Sequence, residues 1–213
     1  MRFPRSAFGL VRLVAALLAI ALGFSALNHG AAAPQRSEQS LLIERHGNEP
    51  LELIDVKIGD LSVKSKIKSK WRKGDDGYDE ANFAATDDWP KDIRLRVRNI
   101  SGKQLTGFQA YIYLKPPAAE HMFSVDLKGP GTTRLEHTAL APGEEIEAEI
   151  DGDSWDHAII RFARYGGELV SAEVRLSIGF VGFAEGLYWR KGRMVRLDPN
   201  NPNRYIPVEP KRP

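Results

Sequence analysis

Alternation of apolar and polar residues is the feature that most constrains this chain. The clearest case is residues 93–98, where Ile, Leu and Val alternate with three arginines. Successive side chains of a β-strand point to opposite faces, so this segment predicts a strand with one buried and one solvated face. The same pattern returns in residues 145–150 and 171–181. The chain is therefore expected to fold mainly as β-sheet.

Turn residues separate the alternating segments, and one segment departs from the pattern. Residues 99–103 read Asn-Ile-Ser-Gly-Lys, and residues 142–143 are the Pro-Gly pair that suits a type II turn. Between residues 153 and 165 the apolar positions recur instead with helical spacing. We therefore predict an all-β fold, an immunoglobulin-like antiparallel β-sandwich over residues 51–198, with one short crossover helix at about residues 153–165.

Composition narrows the possible chemistry. The chain has no cysteine, which excludes disulfides, thiolate metal sites and cysteine nucleophiles. Its 30 basic and 28 acidic residues give a formal net charge of +2, too small to mark a nucleic-acid-binding protein. The sequence also lacks a phosphate-binding loop, a dinucleotide fingerprint and a G-x-S-x-G motif. We predict no cofactor, no metal site, no catalytic residues and no nucleic-acid partner.

The N-terminus has the organisation of an export signal. Three arginines precede an uncharged stretch at residues 13–27, and three alanines follow at residues 31–33. We predict a signal peptide at residues 1–33, a polar linker at residues 34–50, and a periplasmic or extracellular location. The alternative is an uncleaved anchor, which would make the protein a membrane-tethered accessory subunit. Membrane contact is expected only in that case.

A row of lysines is the second candidate surface. Lys64, Lys66, Lys68 and Lys70 alternate within residues 63–71 and would share one face of a strand. One interpretation is a patch for anionic polymers. The favoured alternative is an edge strand protected from aggregation, because the acidic run from Asp75 to Asp92 follows directly and blunts the field. The acidic run also leaves open a calcium-binding loop.

The C-terminal region holds the first candidate surface, an aromatic and basic platform for a sugar, peptide or lipid surface. Its members are Tyr188, Trp189, Arg190, Lys191, Arg193, Arg196 and Tyr205. The alternative is that Trp189 packs into the sandwich and anchors the tail. Residues 199–213 are rich in proline and are predicted to form an extended tail.

Two motifs in this region support a resemblance. The first runs V-x-F-x-[ED]-G-x-x-W-x-x-G and the second D-P-N-x-P-x-R-[WY]-x-P. The matching residues are Val181, Phe183, Glu185, Gly186, Trp189, Gly192, Asp198, Pro199, Asn200, Pro202, Arg204, Tyr205 and Pro207. On these residues the chain resembles a group of uncharacterised exported bacterial β-sandwich proteins. The resemblance implies export and a sandwich fold, and it carries over no activity and no catalytic residue.

Together these features predict an exported, non-catalytic binding or interaction module, with an envelope protein or a glycan as its partner. The rival from another class is a hydrolase whose site is assembled in space. Such a site would draw on His121, His137 and His157, which stand apart in the sequence.

Overall fold

The computed structural model describes residues 36–69, 76–117, 120–129, 134–169 and 172–208. The predicted signal peptide and Lys70 lie outside them. Within them, thirteen strands form one branched sheet accompanied by one α-helix, which confirms the prediction of an all-β fold with a single short helix. The strands are β1 (Ser37–Arg45), β2 (Leu51–Ile58), β3 (Leu61–Ser62), β4 (Ile67–Ser69), β5 (Gly77–Ala85), β6 (Ile93–Asn99), β7 (Leu105–Lys115), β8 (Phe123–Lys128), β9 (Glu145–Ile150), β10 (Glu173–Phe183), β11 (Leu187–Arg190), β12 (Arg193–Asp198) and β13 (Asn201–Pro207).

The helix α1 spans Gly152–Arg164. The Asp151 side chain accepts a hydrogen bond from the backbone N–H of Ser154 and so caps its first turn. Trp155, Ala158 and Phe162 face the core from successive turns. Predicted spacing and observed helix therefore agree. Among the described residues, no helix has both the length and the apolar character needed to cross a membrane.

Strand β8 divides the sheet into two halves, because it pairs with β7 along one edge and with β9 along the other. The first half follows the order β13, β12, β11, β10, β7, β8, and the second follows β8, β9, β6, β2, β3. Strands β1, β5 and β4 join the first half through β10. The pairing of β1 with β10 is parallel, so the sheet is mixed rather than wholly antiparallel as predicted.

Strand β10 is the branch point of the first half. One of its edges pairs with β7 along almost its whole length, with an irregularity between Ile178 and Phe180. The other edge pairs with β1 around Leu176 and with β11 around Val181. β1 and β11 therefore share one edge of β10: β1 pairs with its N-terminal part and β11 with its C-terminal part.

One hydrophobic core joins the two halves. Ile93, Leu95 and Val97 are fully buried, as their alternation predicts. A small interior space is bordered by Ile43 and Leu176 from the first half and by Leu95 from the second. Residues of both halves therefore contribute to the same interior.

The predicted linker is wrong, because residues 34–50 contain β1. Leu41 and Ile43 on this strand are buried in the core. Gln39 is also buried, and its side-chain oxygen accepts a hydrogen bond from the Trp89 indole at 3.2 Å. The polar composition of residues 34–50 does not indicate a buried strand. Gln39 can be buried there because its side chain has a hydrogen-bond partner, Trp89, on another segment.

The extended tail is part of the sheet as far as Pro207. Strand β13 pairs with β12 at the outer edge, where Pro202 and Pro207 are tolerated because an edge strand needs fewer N–H donors. The folded unit therefore extends beyond residues 51–198 at both ends.

The lysine row does not lie on one strand face. Lys64–Lys66 form a 3-10 turn, and only Ile67–Ser69 are extended. Val63 is fully buried, and its N–H donates to the carbonyl of Val56 at 2.9 Å. This anchoring of Val63 accompanies the 3-10 turn, so the alternation of lysines in the sequence does not produce a continuous strand here. Nor is the acidic run a single open loop, since its middle part, with Asp79 and Glu80, belongs to β5, which pairs with both β1 and β4.

Candidate functional site

A groove of about 650 Å³ lies on the outer face of the first half of the sheet, within the range of ligand-binding sites. We call it the tyrosine groove. Its lining residues are Gln109, Tyr111, Tyr113, Ser124, Glu136, Gly179, Phe180, Tyr188, Arg190, Lys191 and Tyr205.

Alternation in β7 supplies one wall of the groove. Phe108, Ala110 and Ile112 are buried in the core. The intervening Tyr111 and Tyr113 must therefore stand on the outer face, where their rings lie 5.8 Å apart. The same period that builds the core thus places two aromatic rings outside it.

A bulge in β10 shapes the floor. The register shift between Ile178 and Phe180 leaves Gly179 unpaired and keeps Phe180 on the outer face. A Cβ at Gly179 would lie 3.0 Å from Cε2 of Tyr111. The missing side chain therefore lets the Tyr111 ring lie close to the β10 backbone.

Three rings form an aromatic cluster at the opposite wall. Phe180 and Tyr188 stack with centroids 5.0 Å apart and ring planes at 30°. Tyr205 meets both rings edge-on, at 5.8 Å from Phe180 and 5.3 Å from Tyr188. Edge-to-face contacts of this kind stabilise a fixed ring arrangement. Strands β10, β11 and β13 thus hold a preformed aromatic surface.

Polar groups lie between the two aromatic walls. The Tyr111 hydroxyl donates to the Gln109 side-chain oxygen at 2.5 Å, which leaves the Gln109 amide N–H groups free to donate. Burial, then the nearby Asp126 carboxylate, raises the pKa of Tyr111 to about 12, so this hydroxyl stays protonated. The side chains of Ser124 and Glu136, both of which line the groove, make no hydrogen bond to any described residue. The groove therefore presents both unpaired donors and unpaired acceptors.

One end of the groove is basic. Arg190 ends β11, and Lys191 follows it in the turn with a left-handed φ of 43°. The turn is held in place because Asn48 donates to the Gly192 carbonyl at 2.7 Å. Lys191 Nζ lies 3.8 Å from Oε1 of Glu44.

Four of the seven predicted platform residues line the groove, namely Tyr188, Arg190, Lys191 and Tyr205. Placing Trp189 on this surface is wrong: it is fully buried, and its indole N–H donates to the Asn48 side-chain oxygen at 3.1 Å. Alternation explains the error, because the neighbours of an outward Tyr188 and Arg190 must face inward. Arg193 and Arg196 are exposed but do not line the groove.

The remaining candidates do not converge on the groove. Lys64, Lys66 and Lys68 are exposed on their own short segment, outside the groove lining. His121, His137 and His157 are exposed on three separate segments, before β8, in a 3-10 turn and on α1. In the described part of the chain, no three His, Asp or Glu residues are arranged to hold a metal ion.

Sequence reasoning missed the contribution of β7, β8 and β10. A signal was present for β7, because Gln109, Tyr111 and Tyr113 alternate with apolar residues and so must share the solvated face. Nothing local indicates that this face lies beside β11 and β13.

The chain matches no protein-family model, no curated protein and no solved structure with which it was compared.

Proposed function

We propose that this protein is an exported, non-catalytic binding module that holds a glycan in the tyrosine groove. The observation that carries the proposal is the lining of the groove, in which four tyrosines and one phenylalanine surround unpaired polar side chains. Sugar rings present apolar C–H faces and a rim of hydroxyls. Aromatic faces and free hydrogen-bonding groups are the complement of both.

The lining disfavours a lipid tail as the ligand. Among the lining residues, only Phe180 carries a wholly apolar side chain, and the tyrosines keep a polar end. An acyl chain would bury the Glu136 carboxylate and the Arg190 guanidinium against hydrocarbon without partners, at a high desolvation cost. A polar ligand with flat apolar faces avoids that cost.

Preorganisation of the aromatic wall supports ligand binding. The stacked Phe180 and Tyr188 rings and the edge contacts of Tyr205 fix the aromatic wall before any ligand arrives. A fixed surface loses little side-chain entropy when it binds. The proposal therefore assigns the groove to recognition.

Export and the immunoglobulin-like sandwich are parts of the same proposal. Export rests on the charged and apolar pattern of residues 1–33. The sandwich rests on the two sheet halves that share one core. The mass of the protein recovered from the periplasm or medium tests export: a start between residues 31 and 34 supports cleavage, and a mass that retains the whole N-terminus supports the anchored alternative.

The binding proposal is tested by calorimetric titration of the protein with a panel of hexasaccharides, namely cello-, chito-, galacturono- and hyaluronan-derived chains. At least one is expected to bind, and Tyr188→Ala is expected to weaken its binding about tenfold or more by removing one stacking face.

Tyr165→Ala is the matched control, because Tyr165 is an exposed tyrosine outside the groove lining. It is expected to bind like the wild type. Absence of binding across the whole panel, or equal losses for both variants, would contradict the proposal.

A further inference from the structure

A pair of like charges lies in the β11–β12 hairpin, of which Arg190 lines the basic end of the groove. Arg190 and Arg193 lie directly opposite each other in the β11–β12 hairpin. Like charges in that position are destabilising. Within the described residues, neither guanidinium lies within salt-bridge or hydrogen-bond distance of any carboxylate. The hairpin therefore carries a repulsion that no carboxylate of the described residues relieves.

Two other arginines of the same half do have carboxylate partners. Arg175 contacts Glu173 and the Tyr78 hydroxyl, and it stacks on the Tyr78 ring at 5.3 Å. Arg45 contacts Glu49 and Asp79. An anion bound at Arg190 would supply the missing counter-charge.

Lys191 does not supply a competing anion site, because its charge is already partly balanced. The Glu44 carboxylate lies near Lys191 Nζ and also accepts a hydrogen bond from the Ser177 hydroxyl at 2.5 Å. Arg190 is the other cation of the lining, and no carboxylate among the described residues pairs with it. Its planar guanidinium can donate two parallel hydrogen bonds to one carboxylate.

Glu136 gives the groove a negative charge in addition to the positive charge of Arg190. It lines the same groove as Arg190 but carries the opposite charge. It repels a second carboxylate and can accept hydrogen bonds from neutral hydroxyls. A ligand that fits both residues has an acidic group beside a neutral, hydroxyl-rich unit.

We infer that the glycan held by the tyrosine groove is acidic, with a sugar carboxylate on Arg190, a neutral sugar beside Glu136, and the rings against Tyr188 and Tyr111. This inference rests on the proposed function and specifies its ligand. The sugar carboxylate that binds Arg190 is assigned to a uronate unit of the glycan chain.

The test titrates the full chain with the hyaluronan hexasaccharide, in which uronate and neutral sugars alternate, and with the same chain after its carboxyl groups are reduced to hydroxymethyl groups. The acidic form is expected to bind about tenfold tighter or better, and the preference to shrink as salt is added. Arg190→Gln is expected to abolish the preference, so that the acidic and the reduced chains bind with equal affinity.

Arg196→Gln is the matched control, because Arg196 lies on the same hairpin but outside the groove lining. It is expected to retain the preference. Thermal unfolding without ligand guards against a folding defect, since R190Q removes a like-charge contact and is expected to be at least as stable as the wild type.

The outcomes separate the two proposals. If neutral and reduced chains bind as tightly as the acidic chain, the assignment of an acidic glycan fails while glycan binding stands. If no glycan binds, the proposed function itself fails. Arg190-dependent binding of poly-glutamate or of phosphatidylglycerol vesicles in place of every glycan would overturn the assignment in favour of an acidic peptide or a lipid surface.

Discussion

The indole N–H of Trp189 donates to the side-chain oxygen of Asn48, and the Asn48 amide donates in turn to the carbonyl of Gly192. A single asparagine thus joins a fully buried tryptophan to the turn that presents Lys191. The ring of His46 adds an edge contact to Trp189 at 5.5 Å. The β1–β2 connection is therefore a support for the basic end of the groove.

Asn48→Ala is expected to destabilise the protein by about 1–3 kcal/mol, because it leaves the buried indole N–H without a partner. Urea unfolding measures the loss. Trp189→Phe removes that N–H, so Asn48→Ala should cost less in the Trp189→Phe background. Additive effects in the double-mutant cycle would show that the hydrogen bond does not couple the two residues.

Gly107→Ala is expected to cost about 3 kcal/mol, at the upper end of overpacking penalties. A Cβ at Gly107 would lie 2.1 Å from the backbone carbonyl oxygen of Glu136, and a backbone atom cannot move aside as a flexible side chain can. Thermal or urea unfolding gives the cost. Gly152→Ala is the control, since a Cβ there meets nothing within 4 Å. Similar stabilities for the two variants would contradict the close approach.

Asp151→Ala is expected to destabilise the protein by about 1–2 kcal/mol through loss of the cap of α1. Asp151→Asn should recover part of this, because asparagine caps as well as aspartate but cannot form the ion pair with Lys128, whose Nζ lies 2.5 Å from Asp151 Oδ1. Urea unfolding of the wild type and the two variants at neutral pH measures the order of their unfolding free energies. If the alanine and asparagine variants are equally unstable, the cap does not contribute.

The advantage of wild type over Asp151→Asn should also depend on pH. Partial burial raises the pKa of Asp151, but hydrogen bonds from Lys128 and Ser154 outweigh it and bring the pKa below its ordinary 3.8. The folded state therefore favours the carboxylate, and its stabilisation is present above pH 3.8 and is lost as the pH falls through the lowered pKa. Unfolding free energies of both proteins across the acid range should converge at low pH. A constant difference would contradict the shift.

Tyr111 should make stability fall at alkaline pH. Its pKa of about 12 in the folded state exceeds the ordinary 10, so the unfolded chain releases the proton first. The contribution is complete below pH 10 and is lost as the pH rises from about 10 to about 12. Tyr111→Phe is expected to show a shallower loss over that interval. A tyrosinate absorbance titration should lose its latest component in this variant, and an unchanged titration would contradict the assignment.

The sequence predicted those elements whose signal is local. Ile93, Leu95 and Val97 are buried as alternation requires, because one face of β6 packs on the core. The helix at residues 152–164 follows from its apolar spacing. In both cases one face of the element is buried, so apolar residues recur with the period of that element and the pattern can be seen in the sequence.

Elements that depend on distant partners were not predicted. The linker predicted at residues 34–50 misses β1, because the burial of Gln39 depends on its hydrogen bond with the distant Trp89 indole. The strand predicted for the lysine row fails because nothing in the local sequence shows that Val63 is anchored to Val56. The predicted platform held four of the eleven lining residues of the groove. The other seven come from β7, β8, β10 and the 3-10 turn of Glu136, which only the tertiary fold brings near Tyr188.

The branching of the sheet at β10 bears on the order in which the chain can fold. The parallel partner of Leu41 is Val174, so the first strand can complete its pairing only after nearly the whole domain has been synthesised. Contacts between segments so far apart in sequence slow folding. The edge of β1 that awaits β10 remains open until then, and a chain that crosses a membrane before folding would keep that edge unpaired throughout its passage.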